Sequence, residues 1–294
     1  MKIAIAGASG LIGNRLIPFL ESKGHRVTKI VRSASSNGEI HWDPSNHQID
    51  ATLLEGMDVI INLAGENIAS GRWTEDRKKK ILNSRIDGTR TLSEAVQKLQ
   101  SPPQLFINAS AIGIYGNRGN ETLTEDSAPG AGFLADVCQQ WEKAIVPLPH
   151  TRVVMLRFGA VLDPNGGILG KMLLPFKIGL GGVIGGGEQY ISWVDISDLL
   201  DVFEFVISNN MLTGPVNAVA PDPVTNYEYT KTIGEVLSRP TFFSMPEFVA
   251  RFAFGEMADE MILCSEKVLP SKLTANGFSF KHPKLKQSLE HLLA

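Results

Sequence analysis

The sequence predicts an α/β protein built on a doubly wound parallel sheet, with a smaller C-terminal lobe. Three observations predict it. The chain opens with a strand–helix–strand unit around a glycine-rich turn. Apolar strand-like runs and helical patterns then alternate through the first 160 residues. Beyond Gly159 that alternation gives way to glycine-rich segments between shorter helices.

The opening unit comes first. Ile3, Ile5 and the alanines around them form an almost wholly apolar run, as expected of a strand covered on both faces. Gly7, Gly10 and Gly13 follow, and Leu11, Ile12, Leu16, Ile17 and Leu20 recur at helical spacing up to Gly24. A second apolar strand over 27–31 completes the unit. In this Rossmann-like context the first glycine permits the tight turn, the second lets backbone N–H groups approach a pyrophosphate, and the third allows close helix–sheet packing. Gly7, Ser9, Gly10, Leu11, Ile12 and Gly13 are therefore expected at a dinucleotide; a plain glycine turn is the alternative.

The end of the second strand discriminates between cofactors. An acidic residue there suits the ribose 2′-hydroxyl of NAD, whereas arginine suits the 2′-phosphate of NADP. From Arg26 to Gly38 there is no acidic residue, but there are Arg26, Lys29, Arg32 and Ser33. Arg32 directly follows Val31 and presents a planar, always-charged fork. The expectation is NADP(H); an exposed arginine at a strand end is the alternative.

Strands are next expected over 39–42 and 56–63, the latter apolar enough to be central. Ligands of open parallel sheets bind beyond the carboxyl ends of the strands, which puts Leu63, Ala64 and Gly65 beside the cofactor. A helix over 74–99 ends at Pro102-Pro103, and a strand over 104–110, a helix over 133–146 and a strand over 152–157 follow. The division expected is a nucleotide-binding domain over 1–160 and a substrate lobe over 161–294, partly interleaved. In the lobe, helices are expected over 196–208, 226–238, 246–256 and 285–293, with short strands near 190–194 and 215–217. The glycines over 166–187 read as punctuation.

Composition narrows the function classes. The 294 residues are 43% hydrophobic and 20% charged, with a net charge of −3 and a pI near 6.1, which gives no electrostatic reason to expect nucleic acid or anionic membrane. The basic run over 77–80 reads as a solvated helix face. Cys138 and Cys264 are too far apart for a disulfide framework and lack zinc-ligand spacing, so no metal is expected. The histidines show no partner pattern. The chain enters a strand directly after Lys2 and has no apolar run long enough to span a bilayer, so the cytoplasm is expected. A monomer and a homodimer are equally open.

These residues carry a family resemblance. GASGLIG (7–13), VRS (31–33), WDP (42–44), NLAGENI (62–68), SRIDGT (84–89), SAIGIYG (110–116), FLADVCQQWE (133–142), LRFGAVL (156–162), ISWVDISDL (191–199) and GFSF (277–280) span nearly the whole length. The chain resembles atypical and extended short-chain dehydrogenase/reductases, in particular the NADP-binding "epimerase family protein" group, relatives of nucleotide-sugar epimerases. The resemblance implies a Rossmann-like domain binding NADP(H) in a cleft closed by the C-terminal lobe. It also implies an oxidoreductase or epimerase acting on a small polar or nucleotide-linked substrate.

The resemblance breaks at catalysis. Such relatives use a Ser or Thr after the fifth strand, here 104–110, and a Tyr four residues before a Lys, which lowers the tyrosine's pKa and holds the nicotinamide ribose. If Glu142 is the glutamate found four residues beyond that Lys, the Tyr and Lys positions fall on Leu134 and Cys138. Tyr227 and Lys231 have the spacing but lie in the C-terminal lobe, and read as coincidence. Ser110 and Tyr115 are the expected catalytic residues; a Tyr115 ring packed under its loop is the alternative. Arg85, where relatives often have Asn, either binds a phosphate or carboxylate or forms a helix salt bridge. Ala109 and Arg157 complete the expected cofactor contacts, and Trp193 and Asp195 are expected to border the substrate, with a core position for Trp193 as the equal alternative. The missing Tyr–Lys pair supports a second function class, an NADP(H)-binding regulator or redox sensor, with 179–187 as a segment able to move.

Overall fold

The computed structural model describes residues 1–33 and 38–294. In chain order the first part runs β1 (Lys2–Ala6), α1 (Leu11–Ser22), β2 (Arg26–Val31), β3 (Ile40–Asp43), β4 (Gln48–Ile49), β5 (Val59–Asn62), α2 (Glu75–Gln97), β6 (Leu105–Ala111), β7 (Thr122–Leu123), α3 (Phe133–Lys143) and β8 (Arg152–Phe158). Next come β9 (Ala160–Asp163), α4 (Gly167–Lys177), β10 (Gly182–Ile184), β11 (Tyr190–Ile191), β12 (Trp193–Asp195), α5 (Ile196–Ser208) and β13 (Gly214–Ala218). The chain ends with β14 (Val224–Thr225), α6 (Asn226–Val236), β15 (Phe243–Met245), α7 (Glu247–Phe254), a π-helical turn over Ala258–Ile262, β16 (Lys267–Val268), α8 (Ser271–Ala275) and α9 (Leu285–Leu293).

Eight strands form the main sheet in the order β13-β8-β6-β5-β1-β2-β3-β4, all parallel except β4 against β3. The order reverses between β1 and β5, so the loops leaving these two strands diverge and open a crevice between them. Both faces are covered, which is why β1 can be apolar throughout. Leu16 and Leu20 of α1 join Leu199, Val202 and Phe203 of α5 on one side, while Leu92, Ala95 and Val96 of α2 join Trp42 on the other. Thr74 caps α2, accepting from Arg77 N at 3.2 Å, and Glu75 and Asp76 in its first turn suit the positive end of the helix dipole.

Three elements differ from expectation. The segment read as glycine punctuation contains α4, whose Leu169, Leu173 and Phe176 pack on Trp193, Tyr229 and Ile233; flanking glycines and an internal Pro175 hide a period of three to four. The short strand near 215–217 is β13, which pairs in parallel with β8 and completes the main sheet, so residues on both sides of position 160 build it. Trp193 and Asp195, expected at the substrate, have no accessible surface. Trp193 donates from Nε1 to Asp222 O at 2.9 Å, and Asp195 caps α5 through Ser197 N at 2.8 Å.

The histidines do acquire neighbours that no spacing announced. His282 and His291 stack at 4.1 Å between ring centroids, and Asp195 Oδ2 lies 3.2 Å from His291 Nδ1. Among the described residues no helix is long and apolar enough to cross a membrane.

Candidate active site

The crevice is built first from backbone. Gly7 takes φ +81°, and a Cβ there would lie 2.6 Å from the Leu63 carbonyl carbon; one on Gly13 would lie 2.9 Å from Ala8 Cα. Only glycine lets the two loops and the start of α1 approach this closely. Gly10 stands at the N-cap of α1 with no side-chain cap, and no acidic residue occupies the first turn. The first N–H groups of a twelve-residue helix are thus left for a ligand, an arrangement suited to a pyrophosphate. Leu11 and Ile12 are half-buried beneath this end, and Ser9 is exposed at its rim. Arg32 is exposed just past β2, and among the described residues its guanidinium has no carboxylate partner. The remainder of the acid-free stretch, residues 34–37, lies outside the described residues.

Behind the β5 loop lies a buried polar network. Asn62 donates to Thr89 Oγ1 at 3.0 Å and to Asn108 Oδ1 at 2.8 Å, while Trp141 Nε1 donates to the same threonine oxygen at 2.9 Å. Asn62 Oδ1 accepts from Ala64 N at 3.2 Å, which fixes the backbone of Leu63, Ala64 and Gly65 at the mouth of the crevice. Buried amides satisfied on both ends specify one arrangement of the loop.

Arg85 reaches this loop from α2. Its Nη1 donates to Glu66 O at 3.1 Å and to Ile81 O at 3.0 Å, and its Cζ sits 5.0 Å from the Trp141 ring centroid. A Cβ on Gly65 would lie only 3.4 Å from that Cζ. No helix salt bridge forms: among the described residues Arg85 has no ion pair. Burial lowers its pKa from the ordinary arginine value, opposed by the nearby Glu66 carboxylate.

Ser110, Tyr115 and Arg157 come together in one hydrogen-bonded cluster at the carboxyl end of β6. Ser110 is 1% exposed and donates to Glu142 Oε1 at 2.7 Å. Arg157 grips the same carboxylate with Nε and Nη2, both at 2.8 Å. Its Nη1 donates to the Tyr115 hydroxyl at 2.9 Å, which donates in turn to Asn217 Oδ1 at 2.8 Å. Tyr115 has no accessible surface, which is the arrangement of a ring packed under its loop. Each hydroxyl is enclosed and bonded within the protein. Arg157 is sealed in the same way, and Ala109 is 4% exposed within β6. Burial lowers the Arg157 pKa, yet its bonds to Glu142 outweigh this and hold it above the ordinary arginine value.

The expected Tyr and Lys positions are apolar or neutral. Glu260 accepts from Phe133 N at 3.2 Å and Leu134 N at 3.0 Å, fastening the start of α3. Burial pushes the Cys138 thiol up to about 12, with Arg85 opposing and Glu142 and Glu266 reinforcing. Glu266 itself is partly accessible, while its Oε1 is enclosed and has no hydrogen-bond partner. Burial, then the charge of Glu260, push its carboxyl from 4.5 up to about 8. Sequence reasoning missed Glu260 and Glu266; the one local signal is an acid inside the apolar run around 261–269. Tyr227 and Lys231 are exposed on the outer face of α6, where Lys231 bonds Thr241 Oγ1 at 3.0 Å. In the basic run, Arg77 pairs with Glu66 and Lys78 with Glu256, both at 2.7 Å.

A doubly wound sheet with an uncapped glycine turn at its switch point is the Rossmann-like architecture of the short-chain dehydrogenase/reductase type. The chain belongs to the NAD dependent epimerase/dehydratase family, which matches residues 3–220. Residues 245–292, which supply Glu260 and Glu266, match a domain of unknown function. An epimerase family protein of Mycobacterium bovis is 42% identical over 290 residues, covering 98% of this chain and 96% of its own length. The crystal structure of human epimerase family protein SDR39U1 with NADPH superposes with a TM-score of 0.93 at 34% identity, covering 99% of each chain. A nucleoside-diphosphate sugar epimerase from Corynebacterium glutamicum gives 0.83 at 34% identity, covering all of this chain and 58% of that one.

Proposed function

We propose that the chain is a cytoplasmic NADP(H)-dependent oxidoreductase or epimerase acting on a small polar or nucleotide-linked substrate. The observation that carries this is the pairing of an uncapped α1 N-terminus with the exposed Arg32 guanidinium one strand away, which has no carboxylate partner among the described residues. The NADPH bound by the human relative supports the choice of cofactor. Once bound, the nicotinamide supplies the hydride, and the protein supplies orientation and a proton. In this reading Ser110, Glu142, Arg157 and Tyr115 hold β6, α3 and β8 in register from behind. Glu266, whose charge bears on Cys138 of α3, is the group that holds a proton near neutral pH.

Arg32→Ala should weaken NADPH binding about tenfold to a hundredfold, as expected for loss of a charge-assisted contact. NADH binding should be unchanged. Titration of both cofactors by protein fluorescence checks this, and an unaltered NADPH affinity removes Arg32 from the cofactor site.

Turnover is tested by incubating the protein with NADPH deuterated at the transferable hydrogen and a cytosolic metabolite extract. A deuterated product is expected and identifies the substrate. The neutral Leu134 and Cys138 positions favour one other reading, a cofactor-binding regulator or redox sensor. Bound NADPH with no label transferred would support that reading, or an epimerase that recycles its hydride internally.

A further inference from the structure

We propose that Arg85 binds the nicotinamide-ribose half of the cofactor, so that the cation of this site comes from α2 rather than from α3. The inference rests on the cofactor reading above. The sheet order supplies the argument. Arg32 follows β2, and the glycine turn follows β1, with β5 and β6 next on the far side of the switch point. A dinucleotide whose 2′-phosphate lies at Arg32 and whose pyrophosphate lies at the α1 N-terminus must extend its other nucleoside over the ends of β5 and β6. Arg85 stands there, against Gly65 of the β5 loop and over Trp141 of α3.

Its bonding is incomplete in the way a binding group's is. One nitrogen, Nη1, makes both hydrogen bonds, and both acceptors are backbone carbonyls. Among the described residues Nε and Nη2 have no partner, although a guanidinium offers five donors. A half-buried cation without a counter-ion is costly unless other oxygens complete its shell. The neighbouring α3 position is Cys138, a neutral thiol that provides no competing donor or charge. Trp141 supports the guanidinium plane and is itself pinned through Thr89 to the network under the loop.

The test uses two probes on the full chain. NADPH carries the nicotinamide ribose, whereas adenosine 2′,5′-bisphosphate carries only the adenosine end. Dissociation constants are measured for the wild type, Arg85→Met and Arg85→Lys, with melting temperatures as a folding control. Arg85→Met is expected to weaken NADPH about tenfold to a hundredfold and to leave the bisphosphate within about twofold. Arg85→Lys, which keeps the charge, is expected to restore most of the loss. Equal weakening of both probes would assign Arg85 to holding the loop, and no change in either would point its free donors at an acidic substrate; each result overturns the proposal. A wild type that binds the bisphosphate but gains nothing from the nicotinamide half overturns it as well. A wild type that binds neither probe fails the underlying cofactor reading together with it.

Discussion

Glu142→Ala is expected to destabilise the fold by about 3–5 kcal/mol, the usual result of stranding one member of a buried ion pair. The side chains of Arg157 and Glu142 are only 7% and 12% exposed. Removal of the carboxylate leaves the guanidinium charged, since arginine does not release its proton in proteins, and leaves the Ser110 hydroxyl without its acceptor. For a domain whose total stability is of order 5–15 kcal/mol, that is a large fraction. Urea denaturation of both proteins measures it. The paired change Glu142→Leu with Arg157→Met should recover much of the loss, because neither variant side chain is then a lone buried charge. A single-variant loss under about 1 kcal/mol would show that water reaches Arg157 and that the pair acts as a surface bridge.

Between pH 5 and pH 8 the wild type is expected to lose stability that Glu266→Gln retains. The folded protein holds the Glu266 proton up to about 8, whereas the unfolded chain releases it near 4.5. Over that window the native state binds the extra proton, so stability falls as pH rises and levels off above about pH 8. At 1.36 kcal/mol per pKa unit, and discounted for the partial access of this side chain to solvent, the loss is on the order of 3 kcal/mol. The groups that bear on this carboxyl are Glu260 of the π-helical turn, Cys264 two residues before it and Cys138 of α3. Both thiols are raised by burial and stay neutral throughout the window. Melting curves of the two proteins at four pH values across the window check the prediction. Parallel pH dependences would mean that Glu266 is ionised already at pH 5 and would remove it as the proton-holding group.

The parts of the molecule written in local pattern were legible. An apolar run, three glycines and a helical period specify β1, α1 and β2, and the same alternation finds β5, α2, β6, α3 and β8. The glycine turn's geometry follows from its place between strand and helix, so the close approach of the β1 and β5 loops is readable without coordinates. Side-chain direction is not. Ser110 ends β6 and Tyr115 follows it as expected, but which layer receives each hydroxyl depends on Glu142 and Asn217, which come from elements farther along the chain. Glu142, read only as a marker of register, is the centre of the buried cluster. Glu266 reaches the far side of α3 from the last part of the chain, and no spacing rule joins positions so distant. The helix α4 was lost for a different reason: its glycines and Pro175 lower helix propensity, and packing against Trp193 overrides that.

The strand that shields the outer edge of β8 is β13, and it is made only after β9 to α5 have been completed. As the chain leaves the ribosome, β8 is therefore finished before its neighbour exists, with a row of N–H and C=O groups open to any passing strand. Two charges lie along this otherwise apolar strand, Arg152 at its start and Arg157 near its end. Arg152 meets the Val206 and Leu212 carbonyls only in the finished protein, and a charge at an unpaired strand edge opposes strand addition. The arginines that later serve packing thus first serve solubility, during the interval in which the sheet is one strand short.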